Sequence, residues 1–204
     1  MNMRVITGLF FLLLFLTSCR AIVYKAAGIK DIKEFDQKEY EKFAAELTGP
    51  YQGTKYSFAV PDSGMQNYVL LYTDTFKNNA AQPIQLLYFK DQKLVSFHAN
   101  CYAPGKNLRT LNWRFDGRFD KYIPKSAVDI SSEHITLAAL LKNFNLDEQL
   151  VNETEIIVVL WSRMLDKRIT DLNEVVIENL LAHNKGEFPP IIYLNTDQFF
   201  ISQN

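Results

Sequence analysis

The stretch "EIIVVLW", Glu155 to Trp161, and the stretch "PPIIYLN", Pro189 to Asn195, decide the fold. Both are apolar almost without interruption. A short run with no polar alternation suits a strand covered on both faces, not one with a wet side. Between the two runs, Asp171 with Glu174 opens a helix whose apolar residues are Leu172, Val175, Val176, Leu180 and Leu181, and Asn184 to Gly186 closes it. Strand, helix, strand, with both strands apolar throughout, predicts a parallel βαβ unit.

Working back from this unit, Thr136 caps a short helix through Phe144, with Ile135 and Leu140 at the staple positions. The middle of the chain reads as β-rich. Tyr56–Val60 and Tyr68–Thr73 look like strands, and Ile84–Phe89 and Leu94–Tyr102 flank a turn at Lys90–Lys93. Leu111–Phe115 meets Asp116-Gly117, a hairpin signal, and Arg118–Ile123 is the expected return strand. Further back, Asp36 and Glu39 form a capping box, Phe35 and Tyr40 a staple, and Gly49-Pro50 a stop, which predicts a helix over 37–48. The expected class is α/β (α+β), with a central mixed sheet and an antiparallel hairpin region in its middle.

At the amino end, Arg4 precedes an apolar run from Val5 to Leu16, and small residues lead to Cys19. Basic start, short apolar core and small residues describe a secretory signal peptide, too short for a membrane-spanning helix of about 20 residues. Leu16-Thr17-Ser18-Cys19 resembles the lipobox of bacterial lipoproteins. The resemblance implies cleavage before Cys19 and a diacylglycerol on its sulfur. Several acyl chains, at about 0.8 kcal/mol per buried methylene, would hold the protein to a membrane. Arg20, where an aspartate would signal inner-membrane retention, and the non-acidic Arg20–Val23 point by the same resemblance to the outer membrane, with the domain facing the periplasm. The expected organisation is a leader over 1–18, the lipidated cysteine and a tether over 19–34, and one globular domain over 35–204. Cys19's covalent lipid is the only cofactor expected, and the membrane is the expected partner through it.

Composition narrows the function classes. With 22 Lys+Arg against 23 Asp+Glu there is no basic excess and no basic stripe, which argues against nucleic acid. Fifteen Phe and ten Tyr fit a β-rich core. If Cys19 carries lipid, Cys101 is the only free thiol. In "SFHANCY" strand alternation places Cys101 with Val95, Phe97 and Ala99 on the apolar face. Ser96, His98 and Asn100 then share the opposite, polar face, a candidate binding face. A buried structural thiol is the expectation for Cys101. His98, His134 and His183 show no metal-ligand spacing, so no metal site is expected.

The segment over roughly residues 154–198, with Trp161 and Ser162 at the first strand's end and "YLNTD" at Tyr193–Asp197, resembles the central strand–helix–strand of thioredoxin-like proteins. In that family a CxxC motif opens the helix. Here Leu165 and Arg168 fall near the two cysteine positions, so the resemblance implies a domain without disulfide exchange, and no catalytic residue is assigned. The family's later elements would come from earlier in this chain, in permuted order. The expected function is binding or scaffolding at the cell envelope. The rivals are a single-thiol redox enzyme using Cys101 and a glycan- or peptide-binding module using Ser96, His98 and Asn100.

Overall fold

The computed structural model describes residues 29–70, 80–99, 113–114, 117–131, 134–183 and 188–203. A compact unit spans Ile32–Asn204. Its described elements are α1 (Gln37–Thr48), β1 (Lys55–Ala59), α2 (Asp62–Leu70), β2 (Gln85–Lys90), β3 (Lys93–Ala99), β4 (Val128–Asp129), α3 (Leu137–Asn143), β5 (Glu155–Trp161), α4 (Asp166–His183), β6 (Ile191–Asn195) and α5 (Asp197–Ser202). A short 3-10 turn, Arg163–Leu165, joins β5 to α4.

The strands form a six-stranded mixed sheet in the order β1-β6-β5-β2-β3-β4. β1, β6 and β5 run parallel, and β5 pairs antiparallel with β2, which forms a hairpin with β3. The α/β class, the central mixed sheet and the parallel βαβ unit are therefore present. β5 occupies its expected residues, and every side chain from Ile156 to Trp161 is buried. The β2–β3 hairpin turns at Asp91 and Gln92, both with positive φ (48° and 64°), the twist that suits a two-residue hairpin.

Register sorts the residues into two faces. One row carries Tyr56, Ile192, Val158, Leu87, Phe97 and Val128. This face packs on α2, α3 and α5 through Met65, Tyr68, Leu137, Leu140, Leu141 and Phe199. The next row carries Ser57, Tyr193, Val159, Leu86 and His98. Here the Tyr40 hydroxyl of α1 lies 3.2 Å from Ser57 Oγ. Asn173 of α4 links the layers, donating to the Leu47 carbonyl at 2.6 Å and accepting from the Tyr193 hydroxyl at 2.7 Å.

The capping signals are realised as expected. Asp36 accepts from the Glu39 amide at 3.0 Å, and the Phe35 and Tyr40 rings are 5.9 Å apart. Thr136 accepts from the Ala139 amide at 3.2 Å. Four expectations are corrected. Tyr68 does not begin a strand: Asp62–Leu70 is a helix that buries Met65 and Tyr68 one turn apart. Gly64 lets it approach α3, because a Cβ there would come within 2.8 Å of the Asn143 carbonyl oxygen. Arg118–Ile123 is not a return strand. Its carbonyls are taken by side chains instead, Phe119 and Lys121 by Asn179 and Arg118 by Ser126, so no strand partner is needed. The helix after β5 begins at Asp166, not Asp171, because the Ser162 cap and the 3-10 turn start it early. Leu181 is exposed, and the buried stripe runs instead through Ile169, Leu172, Val176 and Leu180.

Val158 and Ile192 are fully buried. Val158→Asp should abolish cooperative folding, since the carboxylate would be buried without a partner. Ile192→Val, which removes one methyl, should cost only about 1 kcal/mol. Urea melts followed by circular dichroism separate the two outcomes; a stably folded Val158→Asp protein would contradict the buried register.

Candidate functional site

Ligands of open α/β sheets bind beyond the carboxyl ends of the parallel strands. At that edge Ala59, Asn195 and Trp161 stand side by side in register. The chain then leaves β5 through Ser162 and Arg163, and leaves β6 through Thr196 and Asp197. Thr196 fastens the two exits together, its amide donating to the Trp161 carbonyl at 2.8 Å and its hydroxyl at 3.1 Å.

Asp197 is the hub. Its side chain is fully buried. One carboxylate oxygen accepts from Ser162 Oγ and from the Arg163 amide, each at 2.8 Å. The other accepts from Arg163 Nε at 2.5 Å. Ser162 Oγ in turn caps the 3-10 turn by accepting from the Met164 amide at 3.2 Å. Arg163 is itself largely buried and lies under Phe35, 5.8 Å from the ring centre. Trp161 packs beside the Tyr40 and Phe43 rings at 6.1 and 5.3 Å. Within this knot, Trp161 Nε1, Arg163 Nη2 and Asn195 Nδ2 are buried without a hydrogen-bond partner.

Ser96 and His98 lie on the same strand face, as alternation requires, but both are buried. The segment carrying Phe119 and Ser126 lies against His98. Asn100 and Cys101 lie outside the described residues, as does Cys19. Near the hairpin turn, β3 carries a register shift opposite Tyr88/Phe89, which lets Leu94 join the same core cluster as Phe97. His98 is ringed by Tyr88, Trp113 and Phe119 at 6.1, 6.4 and 5.3 Å. Its Nε2 is 2.8 Å from Ser126 Oγ, which donates to the Arg118 carbonyl at 3.0 Å. A hydroxyl has one proton, so Ser126 accepts from His98, and the imidazole carries its proton on Nε2. The bare Nδ1 has no partner. Burial, and next the Arg118 cation, push the imidazole down from 6.5 to about 4, against a hydrogen bond with the Ser126 backbone.

A cleft of about 670 Å3 lies at the opposite edge, lined by Thr54, Lys90, Glu153, Glu155 and Phe188. The carboxyl edge differs from it in carrying three buried side-chain donors without a partner, at Trp161, Arg163 and Asn195. Sequence reasoning passed over Asp197, Asn195 and Arg163 as site residues. The signal available was the pair Trp161-Ser162 and Asn195-x-Asp197 at the ends of two buried strands. Among the described residues, no group of His, Cys, Asp and Glu is placed to hold a metal. Comparison with family models, with curated proteins and with solved structures matches nothing to this chain.

Removing one partner of a buried ion pair strands the other charge, at a cost of about 3–5 kcal/mol. Asp197→Ala should therefore lower the unfolding free energy by that order, and Asp197→Asn by less, because the amide oxygen still accepts from Ser162. Equal melting of wild type and Asp197→Ala would contradict the hub. For His98 the folded value lies below the unfolded one, so the unfolded state binds the extra proton. Stability from this group is complete above pH 6.5 and falls as pH drops toward 4, by about 3 kcal/mol in all. Urea midpoints across that range should slope in wild type and flatten in His98→Leu.

Proposed function

We propose that this chain is a lipid-anchored envelope protein, held through Cys19 at the outer membrane with its domain in the periplasm. The domain binds or scaffolds and does not exchange disulfides. The anchor rests on Leu16-Thr17-Ser18-Cys19, which lies outside the described residues. Among the described residues, no helix is long and apolar enough to cross a membrane.

The domain reading rests on the junction of β5 and α4. In the thioredoxin-like proteins it resembles, a thiol pair opens this helix. By that resemblance Leu165 and Arg168 stand near the thiol positions, and Ser162 caps the turn that precedes the helix. Ser162 is tied to Asp197, and Leu165 is buried in the core. The β2–β3 hairpin beside β5, contributed from earlier in the chain, supports the permuted order. The observation that carries the binding reading is the Asp197–Arg163–Ser162 hub where thiol chemistry would sit, surrounded by buried donors that lack acceptors.

Cells fed labelled palmitate should label the wild-type protein and not Cys19→Ala, and the variant should leave the membrane fraction or remain unprocessed. A soluble, unlabelled wild type would overturn the anchor. Purified protein should not reduce insulin. Reduction that disappears in Cys101→Ala would overturn the binding reading in favour of a single-thiol enzyme.

A further inference from the structure

We propose that the carboxyl edge of β5 and β6 binds an uncharged carbonyl-bearing ligand, with the chemistry of an amide or peptide bond, through the Trp161 indole N–H, Arg163 Nη2 and the Asn195 side-chain amide. This deepens the binding reading above and rests on it. Natural structures leave few buried polar atoms unpaired, and each such atom asks for a reason. Here three belong to the ends and exits of two paired strands. Trp161 and Asn195 are register partners on one face, and Arg163 follows Trp161 by two residues. All three unpaired groups are donors. An indole and a guanidinium cannot accept. Asn195 is oriented by its own oxygen, which accepts from the Asp197 amide at 3.2 Å, so the nitrogen is the end left over. What the edge lacks is an acceptor.

The chemistry of that acceptor follows from count and charge. Three donors need at least two acceptor oxygens, since a water or a carbonyl oxygen accepts two bonds each. An amide chain presents carbonyl oxygens in series. A carboxylate or phosphate has acceptors enough but the wrong charge. Asp197 is fully buried and already neutralises Arg163. A second anion would sit beside Asp197 with one cation between them, in surroundings that do not screen it. The ligand is therefore uncharged at this point. The helix amides are not what recruits it, because those of Arg163 and Met164 are already bonded to Asp197 and Ser162.

Phe35 is the cover. It is half-buried, belongs to the segment ahead of α1, and lies over Arg163. A ligand with an apolar group beside its carbonyl replaces that ring against Tyr40 and Arg163 while its oxygen meets the donors.

The test uses the 15N-labelled full chain in detergent micelles, titrated with N-acetyl-phenylalaninamide or, separately, with the anionic N-acetyl-phenylalanine. The chain has two tryptophans, so two indole signals report. The amide should shift the Trp161 signal saturably and leave Trp113 in place, and should bind at least tenfold more tightly than the carboxylate. Trp161→Phe keeps a ring and loses the donor; calorimetry should show its affinity for the amide reduced at least tenfold. Phe35→Ala, which spares the donors, should bind more tightly than wild type. No saturable shift, stronger binding of the carboxylate, or weaker binding by Phe35→Ala would each overturn this site. The insulin assay judges the binding reading separately, so a chain that neither reduces insulin nor binds the amide loses this inference alone.

Discussion

From Ile156 to Trp161 every side chain of β5 is buried, so each face of the sheet needs its own cover. On one face the need is met mostly by apolar side chains, with one fully buried polar group, Gln85, that accepts from the Tyr68 hydroxyl and donates to the Ala80 and Gln82 carbonyls. Val158 and Leu160 share a single cluster with residues of α2, α3 and α5, and burial of this kind is the main favourable term in folding. On the other face two helices suffice over β1, β6 and β5. Beyond them the row ends at His98, and there the covering is irregular chain. Irregular backbone over a core needs partners for its carbonyls. Asn179 supplies two and Ser126 a third, while Trp113 donates back to the Arg168 carbonyl at 3.2 Å. Arg114 adds Asp171, Glu174 and Glu178 at the surface, where such pairs contribute little and salt screens them.

The parallel arrangement imposes a second condition. β5 and β6 end at the same edge, so two chain exits and two helix starts crowd into one place. Asp197 meets that crowding with one carboxylate. It joins residues more than thirty positions apart, accepts from the Arg163 amide at the start of the 3-10 turn, and is the first residue of α5. The pair it forms with Arg163 is desolvated, so its worth lies less in net attraction than in fixing one arrangement of the exits. A hydrophobic pair of similar volume could fill the space but could not hold the Ser162 hydroxyl and the Arg163 amide together.

Much of this was legible in the sequence. The pattern that named β5, its parallel partner β6 and the caps at Asp36 and Thr136 is local, and local rules governed those elements. The failures have physical causes. Tyr68 and its neighbours have strand-like side chains, but Gly64 permits a close helix–helix approach, and packing overrode propensity. Asp-Gly at 116–117 signals a hairpin only if a strand partner exists, and α4 took the carbonyls of 119 and 121 instead. The site was harder still. Ser96 and His98 were placed on a polar strand face, which says nothing of what lies over that face. Asn195 and Asp197 were visible only as part of the closing stretch of the thioredoxin-like resemblance; that they form a hub shows only when the sheet order puts them against Trp161 and Arg163.

The two buried polar regions of this face differ in a way that separates structure from function. His98 is a single ring that stays neutral, gives its one proton to Ser126, and packs as an aromatic among Tyr88, Trp113 and Phe119, leaving its Nδ1 acceptor and the nearby Ser96 Oγ without partners. Its place is explained by holding the covering segment. The carboxyl edge is not explained that way. The hub needs Arg163 Nε and the Ser162 hydroxyl, and both are used. It does not need a donor on the Trp161 ring, since a phenyl group would stack on Tyr40 and Phe43 as well. Nor does it need the Asn195 nitrogen, since only the oxygen of that amide holds Asp197. Folding alone would be better served without these donors, because a buried donor left unpaired costs about 1–3 kcal/mol. Departures from local rules that leave such a cost standing belong at functional sites. The surplus donors at Trp161, Arg163 and Asn195 are what the proposed ligand would satisfy at this edge, since the hub itself makes no use of them.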